Sequence, residues 1–297
     1  MNLPTLSAAT HYTARFRSVL AYIDTHLDGD VSVAALSSVA SSSKFHFHRQ
    51  FTALFGIGVY KYVQLRRLRR AADQLAFRTE LTVLTIALSN GYDGPEAFAR
   101  AFKKTTGQSP TQFRQQPCWD SWPDHFAAIT RIRSEHMSPT FQLDDVTIIA
   151  THDIMIATFE HRGDPRRIGE SVRRFIAWRK ANQLAPRVSA TFNILWDNPD
   201  QVPADEYRFD LGAAVTSPVA PNSDGIITKI IPGGRCATLR HVGSDDTLFQ
   251  AVNFMYQTWL PQSGAQLRDF PLYLQRVAFA PEVAPDAAVT DIFLPIT

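Results

Sequence analysis

The chain is poor in cysteine: its 297 residues include 2, Cys118 and Cys236, which do not have the spacing of metal ligands. Small secreted domains held together by disulfides need more, so we expect both thiols to be free in a reducing compartment. Long apolar runs are also lacking, and no stretch is long enough to cross a bilayer. The first residues show no basic segment followed by an apolar run, so no secretion signal is expected. These absences predict a cytoplasmic protein.

Net charge is small overall, +2, but it is distributed unevenly. Residues 1–118 contain 14 Lys and Arg against 7 Asp and Glu, whereas residues 119–297 contain 16 against 21. A basic half joined to an acidic half is typical of a polyanion-binding module attached to a second module. Chance segregation of surface charge is the alternative. The length and an apolar content of 45% are sufficient for two hydrophobic cores.

The basic half contains an internal repeat. Phe47–Phe51 and Phe98–Phe102 share the pattern Phe-x-Arg-x-Phe, and the same offset relates the glycines that end each copy, Gly56 and Gly107. In each copy a short apolar helix precedes a second helix, which has phenylalanine on one face and arginine on the other. This repeat predicts tandem helix-turn-helix units.

A longer helix is predicted between the two copies, over Tyr60–Phe77. Its apolar residues face inward. Its arginines are expected to be solvated or to lie near a phosphate backbone, and they are Arg66, Arg67, Arg69 and Arg70.

Tandem units of this kind are suited to duplex DNA. A helix in the major groove presents the side chains of its first turns to base edges, and arginine can donate two hydrogen bonds to guanine. Two such helices on a rigid linking helix can enter successive major grooves, about 34 Å apart. The alternative role for Arg49 and Arg100 is a structural ion pair beside the core. For Phe45 the alternative is packing at the rim of the core. For Lys103 the alternative is an ordinary solvated charge that contacts no phosphate.

Residues 12–115 resemble the AraC/XylS-type DNA-binding domain of bacterial transcription regulators. The most specific stretch is 91–104, Gly-Tyr-Asp-Gly-Pro-Glu-Ala-Phe-Ala-Arg-Ala-Phe-Lys-Lys, followed by Gly-Gln-Ser-Pro at 107–110. The first copy matches through 45–51, Phe-His-Phe-His-Arg-Gln-Phe.

The resemblance implies DNA contacts from the start of each second helix. In the first unit the matching residues are Phe45, His48 and Arg49, with Lys44 beside them. In the second unit they are Pro95, Glu96, Ala99 and Arg100, with Lys103 beside them. Because Pro95 and Ala99 cannot donate side-chain hydrogen bonds, we expect the second unit to contribute register more than sequence discrimination.

Residues 117–139 are predicted to be a linker. The segment Pro117–Pro123 breaks the helical pattern, and the residues after it have a mixed character. Trp119 and Trp122 are expected to pack against one domain rather than to lie free in solvent.

The acidic half contains a second repeat, in which Ala157–Gly163 lines up with Ala237–Gly243. Each copy begins as a strand and then enters an amphipathic helix. Two further strands follow each helix, over 190–196 and 207–215, and then over 272–279 and 289–294. Strand–helix–strand–strand, repeated, predicts an α+β domain of two related modules. The groove at their junction is a usual place for a ligand.

The predicted fold class is therefore multidomain. An all-α DNA-binding domain occupies residues 10–116, with two helix-turn-helix units joined by a linking helix. The linker follows over 117–139, and the duplicated α+β domain covers 140–297.

Residues 137–297 resemble the GyrI-like small-molecule-binding domain, through the stretches 233–243, 259–264 and 290–295. In that family a carboxylate from a Pro-x-x-Glu strand faces cationic compounds held between aromatic side chains. Here the segment is Pro271-Leu272-Tyr273-Leu274, so leucine replaces the acid. Leucine gives no preference for a cation, and a neutral or amphiphilic effector is expected as readily as a cationic one.

Four aromatic residues are candidates for the groove, namely Trp196, Tyr207, Trp259 and Tyr273. Packing in a core is the alternative for each. His161 and His241 occupy matched turns, where a hydrogen bond repeated by the duplication is the expected role.

Together these features predict a ligand-responsive transcription regulator that is not an enzyme. Its expected partners are double-stranded promoter DNA, a small-molecule effector and, for the activator that the resemblance implies, RNA polymerase. No cofactor is expected, and no metal site, because His46 and His48 point in different directions. The alternatives are a small-molecule hydrolase using Glu160 or Glu206 as a base, and a sequestering module, which would leave the DNA-binding units unexplained.

Overall fold

A computed structural model describes residues 5–279 and 283–297 of the chain. The chain divides into two compact units, Met1–Ser138 and Pro139–Thr297. The first is helical, and the second is an antiparallel sheet with helices, which confirms the predicted fold class.

Over residues 5–138 the first unit contains eight helices. They are α1 (Thr5–Thr25), α2 (Val33–Val39), α3 (Lys44–Phe55), α4 (Val59–Phe77), α5 (Val83–Ser89), α6 (Pro95–Thr106), α7 (Pro110–Gln115) and α8 (Trp122–His136). The pairs α2–α3 and α5–α6 are the two repeated units, and α4 is the linking helix.

Local capping explains where the two second helices begin and end. The Ser43 side chain accepts a hydrogen bond from the backbone N–H of His46 and so caps α3. The helix α6 begins at Pro95, whose missing N–H costs nothing in a first turn. Both helices end at a glycine in the left-handed region, Gly56 at φ 74° and Gly107 at φ 77°.

One hydrophobic core runs through the whole first unit. The repeated phenylalanines Phe47, Phe51, Phe98 and Phe102 are all fully buried in it, as the Phe-x-Arg-x-Phe pattern predicts. Phenylalanine recurs on the same face of both helices, so burial of these rings orients the arginines outward.

The predicted linker is wrong for most of its length. Residues 122–136 form α8, whose buried residues Trp122, Phe126, Ile129 and Ile132 belong to the core of the first unit. Trp119 also packs there, with its ring stacked on Phe77 at 5.8 Å. The proline after Trp122 starts the helix rather than breaking it, because a first-turn proline loses no hydrogen bond. The apolar spacing over 122–132, rather than the prolines, indicates the helix.

The prediction that the α4 arginines are solvated or lie near a phosphate backbone is wrong for Arg66, and Arg67 and Arg69 also make contacts within the unit. Arg66 is buried and paired with Asp24 at 2.8 Å. The guanidinium of Arg67 donates to the carbonyls of Leu27 and Gly91, and that of Arg69 lies 5.4 Å from the ring centre of Trp122. These side chains join α4 to its neighbours, which patterning alone does not reveal.

The described residues of the second unit form one eight-stranded antiparallel sheet. Its strands are β1 (Val146–Thr151), β2 (Ile154–Arg162), β3 (Thr191–Leu195), β4 (Arg208–Ala214), β5 (Ile226–Ile231), β6 (Gly234–Val242), β7 (Tyr273–Ala278) and β8 (Val289–Pro295). Their order is β1-β6-β8-β7-β3-β4-β2-β5. The helix α9 (Ile168–Ala181) follows β2, and α10 (Asp245–Phe254) follows β6 and continues as a π-helical turn, Met255–Trp259.

The repeated module has one strand more than the sequence predicted. Each copy is strand–strand–helix–strand–strand, because β1 precedes β2 and β5 precedes β6. These first strands are exchanged: β1 pairs with β6 of the second module, and β5 pairs with β2 of the first. The exchange and the central β3–β7 pair make one continuous sheet of the two modules.

The helices α9 and α10 pack on the same face of the sheet. The α9 core contains Ala157 and Ala213, and the α10 core contains Leu274 and Ile292. The strand registers place these residues on one face, because directly paired residues point the same way. We call it the helix face. The opposite face carries a third core that includes Phe192, Ile194 and Tyr273.

Candidate nucleic-acid interface and effector groove

The helix α3 presents an exposed polar and aromatic surface. Lys44, Phe45, His48 and Arg49 all lie on the outer side of α3, opposite the buried phenylalanines. The Phe45 side chain is 88% exposed, which is unusual for a residue of this size at the start of a helix. The alternative role for Phe45, packing at the rim of the core, therefore does not account for its exposure.

The helix α6 presents fewer exposed polar side chains. Glu96, Arg100 and Lys103 are exposed on α6, whereas Pro95 and Ala99 are partly buried. Within the described residues, no hydrogen bond or ion pair involves the guanidinium of Arg49 or Arg100. The alternative role for these arginines, a structural ion pair, therefore has no support in the structure.

A groove of about 490 Å³ lies between the two helix-turn-helix units and α4. Its walls include Val31, Tyr60, Gln64, Arg67, Tyr92 and Asp93. Arg67 spans it by donating to Leu27 O at 2.7 Å and to Gly91 O at 3.1 Å. Burial lowers the pKa of this guanidinium and raises that of the Tyr92 phenol to about 12. Arg67 therefore joins the connection between α1 and α2, and the turn between α5 and α6, to α4, a role that the sequence did not suggest.

The junction of the two modules in the second unit is the β3–β7 pair. Asn193 and Leu274 face each other there, both buried on the helix face between the positions covered by α9 and α10. Leu274 belongs to the core around α10, with Met255 and Trp259. The position of the family's acid is thus filled by apolar packing.

The four aromatic candidates do not meet at one place. Trp196 and Tyr273 lie on the face opposite the helices, bridged by Phe270 with ring centres 6.1 and 6.3 Å apart. Tyr207 instead packs against His161, with ring centres 6.0 Å apart. Burial there raises the pKa of the Tyr207 phenol to about 12. Trp259 is part of the α10 core.

A charged cluster on the face opposite the helices was missed by sequence reasoning. The fully buried carboxylate of Asp210 accepts hydrogen bonds from Trp196 Nε1 and Lys229 Nζ, both at 2.7 Å. Glu160 pairs with Lys229 at 2.5 Å and with Arg162 at 2.8 Å. The hydrogen bond from Lys229 is the main reason that the pKa of Glu160 lies below its usual value. The charged residues come from β2, β4 and β5, and Trp196 follows β3, so only the sheet order brings them together.

The two matched histidines make matched hydrogen bonds. His161 Nδ1 lies 2.8 Å from Ser171 Oγ, and His241 Nε2 lies 2.9 Å from Thr247 Oγ1. Each hydroxyl belongs to the helix that follows the turn. Burial is the main reason that the pKa of both imidazoles falls below 6.5. The expected structural role of both residues is confirmed.

Neither a metal cluster nor a membrane span is evident over residues 5–279 and 283–297. No three His, Cys, Asp or Glu side chains come together there as metal ligands. No helix in those ranges is long and apolar enough to cross a bilayer.

Comparison with known proteins agrees with both parts of the chain. Residues 144–297 match the family of the GyrI-like small molecule binding domain, and residues 36–116 match a helix-turn-helix domain family. The chain is 35% identical over 153 residues to the probable transcriptional regulator YgiV of Escherichia coli (strain K12), which is 51% of this chain and 96% of YgiV.

The right origin-binding protein of E. coli (strain K12) is 34% identical over 106 residues, covering 36% of each chain. A solved structure of the DNA-binding domain of the global transcriptional factor AdpA with a target DNA covers 33% of this chain and 86% of that one, at 27% identity and a TM-score of 0.31. The family matches and YgiV carry the assignment. The chain belongs to the GyrI-like family, and it joins that domain to an AraC-type helix-turn-helix domain in a DNA-binding transcription regulator.

Proposed function

We propose that a small molecule bound by the second unit controls how the helical unit engages promoter DNA. The observation that carries this proposal is the presence, in one chain, of a GyrI-like unit and of the exposed helices α3 and α6, which are the proposed recognition helices. Such coupling requires the effector to favour one state of the regulator, typically by about 1–3 kcal/mol. The proposed action is activation through RNA polymerase, in the cytoplasm where promoter DNA is found.

The first recognition helix is proposed to carry most of the sequence discrimination. Arg49 and His48 can donate to base edges, and the exposed Phe45 ring can contact a thymine methyl group. On α6, Arg100 is the corresponding donor, and Lys44 and Lys103 are proposed to contact phosphates. Pro95, Glu96 and Ala99 are proposed to lie against the groove and to fix its register.

The effector is proposed to bind at the junction of the two modules, near Asn193 and Leu274. Of the four aromatic candidates, Trp259 lies in the core beside Leu274, whereas Trp196, Tyr207 and Tyr273 point elsewhere. Because Leu274 offers no counter-charge and the buried Asp210 is already paired with Lys229, we favour a neutral or amphiphilic effector.

We also propose that the second unit does not catalyse hydrolysis. A general base works best with a pKa near neutral pH, but Glu160 is held in two ion pairs that lower its pKa. Glu206 is exposed in the turn before β4. Turnover of an electrophilic substrate that disappears in Glu160→Gln or Glu206→Gln would contradict this proposal.

The test is equilibrium binding of the full chain to the DNA upstream of its own gene, with and without a panel of neutral, amphiphilic and cationic compounds. We expect sequence-specific binding whose affinity, or whose transcription output with RNA polymerase, changes with at least one compound. Sequence-specific binding that no compound alters, combined with no compound binding to the chain, would contradict ligand control while leaving DNA binding intact.

A further inference from the structure

The outer edge of the sheet at β1 is unprotected. β1 pairs with β6 on one side, and over the described parts of the chain no strand pairs with its other side. Ile148 and Ile149 are 48% and 41% exposed, on opposite faces. The strand Val-Thr-Ile-Ile-Ala-Thr has no charge, no proline and no bulge in its six-residue register with β6. Natural edge strands usually contain a charged residue, a proline or a bulge, because the free backbone N–H and C=O groups of an edge otherwise pair with another strand.

The opposite edge of the same sheet, β5, is partly covered by the chain that precedes it. The chain before it folds back, so that the Asn222 side chain donates to Ile226 O at 2.8 Å and accepts from Ile226 N at 3.1 Å. Val219 N also donates to Thr228 Oγ1 at 2.8 Å. Lys229 places a charge in that strand. Protection at one edge and not at the other indicates that β1 has a partner.

We propose that β1 pairs with β1 of a second copy of this chain, antiparallel, about a twofold axis. The full row of free backbone groups along a strand edge is matched by another strand. An uncharged, β-branched strand is also complementary to itself, and antiparallel self-pairing is isologous, so it closes as a dimer. The two sheets would then form one continuous sheet across the axis.

Geometry and charge select the register of this pair. In an antiparallel pair, two facing residues either both point their backbone N–H and C=O groups toward the partner strand or both point them away. When a strand pairs with a copy of itself, this rule requires that one residue at the centre of the pair faces the same residue of the copy. A centre on Ile149 places Asp145 opposite Asp153 of the second copy. A centre on Ile148 places Asp145 opposite Thr151 and Asp144 opposite His152, and so avoids facing acids. The proposed register therefore has Ile148 facing Ile148 of the second copy.

This interface is small, because one strand pair falls below the roughly 1,200 Å² of stable interfaces. The association is therefore concentration-dependent in solution. Two copies on neighbouring operator sites would raise each other's effective concentration, which would make binding to paired sites cooperative. This inference goes beyond ligand control and does not depend on it.

The first test is sedimentation velocity of the full chain over a range of concentrations. We expect a monomer–dimer equilibrium that Ile148→Lys shifts to monomer, since two lysines would face each other across the axis. The matched control is Ile227→Lys on β5, where the side chain is 43% exposed, and it should leave the dimer unchanged. The circular dichroism of the Ile148→Lys monomer, and its affinity for a single operator site, should match those of the unaltered chain.

A wholly monomeric unaltered chain at the highest soluble concentration would overturn the proposal. So would assemblies that grow beyond a dimer, or loss of the dimer in Ile227→Lys but not in Ile148→Lys. Association with an unrelated protein through β1, with no self-association, would overturn it as well.

The second test traps the register. In a Cys118→Ser background, which removes the exposed native thiol, Ile148→Cys should form a disulfide-linked dimer under mild oxidation. Facing Cα atoms in antiparallel pairs are about 4.5–5.5 Å apart, within the range of disulfides. Ile149→Cys would face Thr147 and should cross-link far less. Efficient cross-linking of Ile149→Cys alone would overturn the register, and cross-linking of neither variant would overturn the pairing.

Discussion

The carboxylate of Asp24, on α1, pairs with the guanidinium of Arg133, on α8, in the interior of the helical unit. Both side chains are buried, and Arg66 of α4 donates to the same carboxylate at 2.8 Å. The Nε of Arg17 donates to His136 O at 2.9 Å and adds a second tie between α1 and α8. The last helix before the second unit is therefore part of the DNA-binding unit, joined to it by a buried ion cluster.

Replacing Arg133 by alanine should destabilise the helical unit. Removing one partner of a buried pair leaves a charge uncompensated, at a cost of about 3–5 kcal/mol, and continued pairing with Arg66 places the expected loss near the lower value. Hydrogen exchange of the full chain should accelerate in peptides from both α1 and α8. The exposed neighbour Arg131, replaced by alanine, is the control and should change exchange little. Faster exchange confined to α8 would contradict the cluster's role.

Alanine at Arg49 should reduce sequence-specific DNA binding more than alanine at Arg100. A bidentate contact to guanine is worth about 1–3 kcal/mol of discrimination, and the surface around Arg49 offers more donors than that around Arg100. Affinity for operator and scrambled duplexes, measured by fluorescence anisotropy at fixed salt, separates the effects. Arg49→Ala should lower the ratio of specific to non-specific binding, whereas Lys103→Ala should weaken binding to both duplexes alike. Unchanged discrimination in both arginine variants would contradict these base contacts.

Glutamate at position 274 should create a preference for cations. Leu274 is buried beside the α10 core, so an introduced carboxylate would lack a counter-charge until a cationic ligand supplied it. We expect Leu274→Glu to bind a cationic aromatic compound at least tenfold more tightly than its neutral isostere, by calorimetric titration. Leu274→Gln has the same shape without the charge and should show no such preference. Equal affinities in the folded glutamate variant would place the effector site elsewhere.

Acidification should destabilise the second unit through His161 and His241. Burial lowers the pKa of both imidazoles below 6.5, so the unfolded chain binds more protons than the native one as pH falls through that value. Each histidine then removes stability at about 1.4 kcal/mol per pH unit, until the pH reaches its folded pKa. Thermal unfolding between pH 8 and pH 5, in the unaltered chain and in His241→Gln, measures this effect. A pH dependence unchanged by the substitution would contradict it.

Local patterns predicted well those features that depend on neighbouring residues. Ser43 and Gly56 mark the ends of α3, and the spacing of Phe47 and Phe51 orients that helix, because capping and amphipathic burial act within a few turns. The same holds for the matched histidine turns. The prolines around Trp122 are the reason that a linker was predicted. Pro123 instead lies in the first turn of α8, where it does not break the helix.

Features that depend on distant residues were not predicted. The strand β5 was missed because its position follows from pairing with β2, and β1 was missed because it pairs with the other module. Likewise, Trp196 and Tyr207 are both aromatic and close in the chain, yet they lie at separate places. Alternation along a strand assigns side chains to two faces, but only the sheet and its helices decide what each face contacts.

The sequence by itself determined the two repeats, the division into a basic and an acidic half, and the outward direction of Arg49 and Arg100, because each follows from local periodicity and charge. The tertiary structure alone decided which charges are buried partners, as with Asp24 and Arg133, and which strands are exchanged between modules. It also decided which sheet edge is left open at Ile148. These features depend on contacts between residues far apart in the chain. A local pattern does not specify which distant residues meet, because closing the long loops between them costs entropy that only the whole fold offsets.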